Sequence, residues 1–300
     1  MMRDTKPGGV KPGGGAGRKP EWIRVKAVSG EAWKGLAEIL EKQKLHTVCD
    51  SAQCPNKGEC WSAGTATFMI LGDLCTRACR FCAVPTVSPG REVRSDEGSA
   101  IAAAALELGL KYVVLTSVDR DDLPDRGAGH FGSCLGALRQ KIPDAAVEVL
   151  VPDYTSPELA PIGAQGPRVL AHNVETVRSL QGIRDNRASF DKSLATLKGA
   201  KALGIGVTKS SLLLGLGERE SEVFSAMDDL REAGVDILVM GQYLQPTKGQ
   251  IPVAEYLHPD RFDAYRQAGL SRGFGAVIAG PFARTSYQAF RAYSAAIAKK

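Results

Sequence analysis

The segment Ala66-Thr67-Phe68-Met69-Ile70-Leu71-Gly72-Asp73-Leu74-Cys75-Thr76-Arg77-Ala78-Cys79-Arg80-Phe81-Cys82 decides the reading of this chain. Its first part is a short, largely apolar run bounded by glycine, the pattern of a buried strand. Its second part sets cysteines at a C-x3-C-x2-C spacing directly beyond that strand. Thiolates so spaced can take three corners of an iron–sulfur cube from one loop, and the spacing is not that of the ferredoxins. Zinc is the alternative metal; it needs a fourth ligand, for which His46 or a cysteine of another set is the candidate. A cluster held by three thiolates leaves one iron free for a ligand that is not cysteine. Arg77 and Arg80, inside the loop, are expected to lower the thiol pKa values and to offset a cluster's negative charge.

Downstream the rhythm of that strand repeats. Apolar runs at 112–117, 147–151, 169–173, 206–214 and 236–244, with a further candidate at 276–280, alternate with helical stretches at 97–108, 134–141, 176–183, 190–203, 220–233 and 259–273. Continuous apolar strands alternating with helices predict a parallel sheet covered by helices. The number of units suits an α/β fold of the partial (β/α)6 barrel type better than a nucleotide-binding fold. In such barrels the active site lies at the C-terminal ends of the strands. Polar residues gather there: Thr116 and Ser117; His172, Asn173 and Glu175; Thr208, Lys209 and Ser210; Gln242, Tyr243 and Gln245. Gly215, Gly217 and Glu218 lack the Lys-Ser/Thr of a phosphate loop and read as a tight strand-to-helix turn.

Upstream stands a second triplet, Cys49, Cys54 and Cys60, spaced C-x4-C-x5-C, so that six of the seven cysteines fall within 34 residues. Clustered cysteines in a reducing compartment bind metal or do redox chemistry more readily than they form disulfides. The glycine- and cysteine-rich stretch 46–64 has little periodicity and is expected to need its metal to hold a shape. Before it, residues 31–44 read as an amphipathic helix with Trp33, Leu36, Ile39 and Leu40 near one face. Cys134 stands apart and reads as a small buried hydrophobe.

The chain has 300 residues, 44% hydrophobic and 24% charged, the balance of a soluble globular protein. No apolar run reaches the roughly 18 residues that span a membrane, and no secretory signal is evident, so the expected location is cytoplasmic with no membrane partner. Of the net charge of +5, residues 1–20 carry +4 through Arg3, Lys6, Lys11, Arg18 and Lys19 against Asp4. The remaining 280 residues are close to neutral and show no nucleic-acid footprint. The expected organisation is a disordered basic Gly/Pro-rich tail at 1–20, an extension with the second cysteine loop at 21–64, a barrel at 65–250 and a C-terminal extension at 251–300.

C-x3-C-x2-C directly after the first strand of a β/α barrel resembles the signature of the radical S-adenosylmethionine (SAM) enzymes. Further stretches narrow the likeness: the Cys49 to Cys60 run, Thr116-Ser117-Val118-Asp119-Arg120-Asp121-Asp122, His172-Asn173-Val174-Glu175, Gly215-Leu216-Gly217-Glu218, Gly241-Gln242-Tyr243-Leu244-Gln245-Pro246 and Arg284-Thr285-Ser286-Tyr287. With these the chain resembles the lipoyl synthase family, collinearly over residues 18–290.

That resemblance implies two [4Fe-4S] clusters. Cys75, Cys79 and Cys82 would hold one, whose open iron binds SAM and whose electron cleaves it to methionine and a 5′-deoxyadenosyl radical. Cys49, Cys54 and Cys60 would hold an auxiliary cluster with Ser286 as its fourth ligand. Without the resemblance, Ser286 reads as a cap or surface hydroxyl. The family inserts sulfur at C6 and C8 of an octanoyl chain borne by a carrier protein, making the lipoyl cofactor. Implied partners are octanoylated carriers (lipoyl domains of 2-oxoacid dehydrogenases, the glycine-cleavage H protein), a low-potential donor of ferredoxin or flavodoxin type, and an Fe–S carrier that rebuilds the consumed cluster. Thr116 and Ser117 would meet the amino or carboxylate end of SAM, Asn173 and Glu175 its ribose, and Lys209 its carboxylate, with Gln242 also at the cofactor. Phe81 would cover the adenine side or pack in the core, and His172 would serve the site or the scaffold. Arg284 would steady the auxiliary cluster's charge.

The chain departs from the family pattern at Ser51, Arg126, Ser211, Gln250 and Thr285, while all seven implied ligands are present. A related sulfur-inserting enzyme with a different acyl substrate is the alternative, and a zinc-stapled binding barrel the reading from another class.

Overall fold

The computed structural model describes residues 18–24, 31–51, 54, 56, 59, 60 and 66–299. The expected tail lies outside the described residues up to position 17. The strands are β1 (His46–Thr47), β2 (Thr67–Ile70), β3 (Tyr112–Ser117), β4 (Ala146–Leu150), β5 (Val169–Ala171), β6 (Val207–Leu214), β7 (Ile237–Gln242) and β8 (Ala276–Gly280). They form one sheet in chain order. From β2 to β8 every neighbour is parallel, and β1 adds to β2 antiparallel, His46 against Met69. Among the described residues β1 and β8 do not pair, so the sheet is an unclosed partial barrel.

The helices are α1 (Glu31–Lys42), α2 (Val48–Ser51), α3 (Glu97–Glu107), α4 (Ala128–Lys141), α5 (Ser156–Gly163), α6 (Phe190–Ala202), α7 (Glu220–Glu232), α8 (Pro259–Ser271) and α9 (Ala289–Ile297). The helix expected at 176–183 is a single 3-10 segment, Arg178–Ile183. Three helices escape the sequence reading, the single turn α2 and the longer α5 and α9. Pro157, Pro161 and Gly163 argue against a helix at α5. Its start is nevertheless well capped, since Glu158 accepts from the Thr155 N–H at 2.6 Å, and Pro157 sits in the first turn, where no N–H is needed.

Alternation along the strands sorts side chains to two faces. Phe68, Ile70, Val113, Leu115, Val149 and Leu170 point outward and pack under Ile101, Phe131, Leu135 and Leu159 of the covering helices. Each such side chain contributes about 1.5–3 kcal/mol by leaving water. The opposite parity (Val169, Val207, Ile237, Val239 and Ala276) meets Ala292 and Ala296 of α9. The C-terminal helix thus closes the floor of the barrel with alanines, small enough to let it approach. Higher on the same inner face, Lys209 Nζ pairs with Glu148 Oε1 at 2.8 Å, and Tyr112 donates to Glu148 Oε2 at 2.6 Å, with both charged side chains wholly buried. Above that layer the strand ends open into the site.

Candidate active site

The chain leaves β2 through Leu71 and Gly72, both at positive φ (67° and 89°), and turns back over the rim. The Leu71 N–H is caught by Glu97 Oε2 at 2.9 Å. Beyond the turn, the cysteine loop is pinned by its backbone: Cys75 N to Pro85 O at 2.9 Å, Arg80 N to Ile183 O at 2.8 Å, and Ile251 N to Arg80 O at 3.1 Å. Gln250 donates to Cys82 O at 3.1 Å. Each thiol accepts one backbone N–H: Cys75 from Arg77 at 3.4 Å, Cys79 from Asp185 at 3.3 Å and Cys82 from Val84 at 3.5 Å. Three sulfurs each met by an N–H donor suit anionic thiolates around a cluster.

The loop arginines do not act as expected. Burial pushes Cys75 up to about 11 and Cys79 up to about 12, and raises Cys82 as well. Arg77 is spent on carboxylates, at 2.8 Å from Asp121 Oδ1 and from Asp153 Oδ1 and 3.4 Å from Asp119. Arg80 is exposed. Without metal these cysteines are thiols, and it is a bound cation that would ionise them.

The loop walls a cavity of about 570 Å³ at the C-terminal rim of the sheet. Of the six residues expected at SAM, Thr116, Ser117, Asn173 and Glu175 line it, as do Phe81, Asp119, Asp153 and Arg184. Two atoms on this wall are buried without a partner among the described residues, Ser117 Oγ and Asp153 Oδ2. Such orphaned groups fit a ligand that brings donors of its own. Asp119 is raised to about 6 because burial outweighs the pull of Arg77. Acidic groups around the cavity suit a cationic cofactor such as SAM. Asp153 and Arg184 lie outside the strand-end residues read from the sequence, whereas Asp119 belongs to the polar stretch that follows β3.

Lys209 and Gln242 are corrected. Neither lines the cavity. The Lys209 ammonium is committed to Glu148 inside the barrel. The Gln242 amide donates to Glu255 O at 2.9 Å and accepts from Leu257 N at 2.9 Å, bracing the turn after β6. In that turn Gly215 and Gly217 take φ of 89° and 108°, and Glu218 accepts from Gly215 N at 2.6 Å. His172 is scaffold: its ring nitrogens bond Val151 O and Ser193 Oγ, each at 2.8 Å.

A second cavity, about 190 Å³, is lined by Cys49, Cys54 and Cys60 together with Arg284, Thr285, Ser286 and Tyr287. α2 carries Cys49, and Cys54 N returns to Cys49 O at 3.0 Å. Burial, then Cys49 and Cys54 close by, push Cys60 up to about 12. Among the described residues the strap at 281–288 reaches this loop through two bonds, Asn56 Nδ2 to Phe282 O at 2.5 Å and Tyr287 OH to Glu59 Oε1 at 3.0 Å. Gly241 makes room for it, since a Cβ there would overlap the Ala283 carbonyl. Among the described residues Arg284 bonds only carbonyls of its own strap, Ala283 O at 2.7 Å and Pro281 O at 3.4 Å, and burial lowers its pKa. A buried guanidinium with no carboxylate partner among the described residues, facing three thiols, fits an anionic cluster. His46, on β1, lines neither cavity, which removes it as a zinc ligand.

Both cavities share Val48, Leu150, Asn173, Glu175, Leu213 and Arg284 as lining, so one wall separates the two cysteine triplets. Several departures from the family pattern are accommodated locally. Ser211 Oγ lies 3.1 Å from Thr285 Oγ1. Arg126 takes a positive φ of 53° and pairs with Asp153 at 2.7 Å.

The profile of the "Radical SAM superfamily" matches residues 69–230. Solved structures align at the level of fold: methylornithine synthase (PylB) at TM-score 0.57 and 14% identity, over 82% of this chain and 71% of that one, and the FeFe-hydrogenase maturase HydG from Carboxydothermus hydrogenoformans at TM-score 0.56 and 13% identity, over 80% and 63%. The open parallel barrel with three cysteines beyond its first parallel strand is that of a radical SAM enzyme. Within that class the relatives are closer. The lipoyl synthase of Halorhodospira halophila is 51% identical over 91% of this chain and 83% of its own, and that of Thermus thermophilus 48% identical over 92% and 86%. The chain belongs to the lipoyl synthase family.

Proposed function

We propose that the protein inserts two sulfur atoms into an octanoyl chain borne by a carrier protein, at C6 and C8, producing the lipoyl group. The observation that carries this reading is the pair of adjoining cavities, each walled by one cysteine triplet and sharing the Asn173–Glu175 and Arg284 wall. Aliphatic C–H bonds offer no acid–base handle, so a proton-transfer residue could not activate these positions. When bound, the clusters at the Cys75 and Cys49 sets supply the electron that cleaves SAM and the sulfur, respectively.

The chain's own residues bind, orient and shield. Cys75, Cys79 and Cys82 hold the first cluster, with their three N–H bonds fixing the sulfurs. Ser117 Oγ and Asp153 Oδ2 are the free acceptors for the donors of SAM, and Thr116, Asn173 and Glu175 border it. Cys49, Cys54, Cys60 and Ser286 hold the second cluster, with Arg284 beside it as counter-charge. Leu150 and Leu213, lining both cavities, form the apolar passage for an acyl chain and keep water from the reacting carbons. Octanoylated carriers, a low-potential electron donor and a cluster-rebuilding carrier complete the cycle. The described residues hold no helix long and apolar enough to cross a membrane.

The test is direct. Anaerobically prepared protein should hold about eight irons per chain, as two four-iron clusters require. Given SAM, a reductant and an octanoyl-lysyl peptide, it should yield a peptide heavier by two sulfurs. Deoxyadenosine formed without sulfur gain would count against the assignment.

A further inference from the structure

Two hydroxyls stand side by side on the strap, Thr285 and Ser286, and both line the smaller cavity. Only one is spent. Thr285 Oγ1 lies 3.2 Å from Asn173 Oδ1 and 3.1 Å from Ser211 Oγ. A carboxamide oxygen only accepts, so the Thr285 hydroxyl gives its proton to Asn173 and takes one from Ser211. Asn173 Nδ2 then donates to Glu175 Oε1 at 3.2 Å. The result is a directed chain from β6, through the strap, to the segment beyond β5. Ser286 makes no hydrogen bond to the described residues and keeps its hydroxyl free.

The strap's ends are held elsewhere, by Asn56 on Phe282 and by Glu59 on Tyr287. Between them the chain makes one turn, Tyr287 N to Arg284 O at 2.9 Å, with Thr285 and Ser286 at its centre. Bonds at the two ends do not by themselves set which hydroxyl of the turn faces Cys49, Cys54 and Cys60; the clamp on Thr285 acts at the turn's centre.

We propose that Thr285 is a positioning residue: its hydroxyl, clamped between Ser211 and Asn173, fixes the turn so that Ser286 and not Thr285 is presented to the cysteine triplet. The inference rests on Ser286 being the fourth ligand of that site. Replacing Thr285 by valine keeps the shape and removes both bonds, leaving Asn173 Oδ1 and Ser211 Oγ unpaired. Serine at the same place can restore them.

The experiment uses the anaerobically loaded full-length protein, enriched in a Mössbauer-active iron isotope. In the wild type, one iron of the auxiliary cluster should show oxygen ligation. In Thr285→Val that signature should be lost or split, hydrogen exchange at 281–288 should quicken, and sulfur transfer should fall about tenfold, the worth of a well-placed hydrogen bond. SAM cleavage should fall less than sulfur transfer does, because the Cys75 loop is untouched and only Asn173, on the shared wall, loses a partner. Thr285→Ser should recover both the signature and the transfer, which a merely structural defect would not do. Ser211→Ala should give a weaker version of the valine phenotype. If the wild type lacks an oxygen-ligated iron, Ser286 ligation fails and this inference with it. If the wild type has that iron and Thr285→Val keeps it with normal transfer, the role of Thr285 alone is overturned.

Discussion

Asn56 and Phe282 are 226 residues apart in sequence, yet the Asn56 amide donates to the Phe282 carbonyl at 2.5 Å. That bond ties the loop bearing Cys54 and Cys60 to the strap bearing Ser286. Asn56 is buried, so Asn56→Ala leaves a half-buried carbonyl without its donor, at a cost of about 1–3 kcal/mol. The expected outcome is faster hydrogen exchange at 281–288 and a lower iron content per chain, with SAM binding retained. Unchanged exchange in that segment would show that the tie does not hold the strap.

Ser286→Ala removes the free hydroxyl facing the Cys49 set and nothing from the larger cavity. SAM cleavage should remain largely intact while sulfur transfer is abolished. Normal lipoyl product from this variant would refute Ser286 as a ligand.

Gly241→Ala places a methyl where the Ala283 carbonyl lies. Backbone cannot swing aside as a side chain can, so the strap must move away from β7. Overpacking of this kind costs about 1–3 kcal/mol. Thermal unfolding should report that loss, and sulfur transfer should fall further than SAM cleavage does.

Lys209→Met separates the scaffold role of Lys209 from a cofactor role. It strands a buried Glu148, so unfolding should become easier by about 3–5 kcal/mol. Lys209→Met combined with Glu148→Gln should recover most of that. In the double variant SAM affinity should match the wild type; a large fall there would return Lys209 to the cofactor site.

His172 supplies a pH dependence. Burial, then the nearby Arg184 charge, lower its pKa from 6.5 to about 4. The unfolded chain therefore binds more protons than the folded one between those values, and stability is lost as pH falls through that window. The full effect is about 3 kcal/mol, at 1.36 kcal/mol per pKa unit. Urea midpoints across pH 4–7 should show this slope in the wild type and a shallower one in His172→Gln.

Much of the architecture was legible because its signals are local. The strand runs end within a few residues of their expected limits, and a cysteine triplet in one loop declares a metal site by its spacing, while the choice of cluster over zinc leans on the family likeness. α5 is hidden by its prolines and glycine, although Thr155-Ser156-Pro157-Glu158 carries the Thr-x-x-Glu spacing of a capping box with a proline in the first turn. Lys209 and Gln242 were misassigned for a different reason. A polar residue at a strand end reads as a site residue until its partner is seen, and Glu148 is 61 residues away from Lys209. The expectation for Arg77 failed likewise, because Asp121 and Asp153 lie far along the chain. Ser286 carries no local signal at all; only likeness to a family pointed to it.

The dependence of residues 49–60 on a strap near the other end of the chain also sets an order of assembly. Apart from Arg284, every residue lining the larger cavity lies at or before Pro246. That half of the site draws on residues made before the strap. The smaller cavity has no such independence, since four of its walls, Arg284 to Tyr287, come long after Cys60 in the chain. Iron delivered to the Cys49 loop before the strap exists would meet three thiols and no lid, so the enclosure of those thiols waits for the strap.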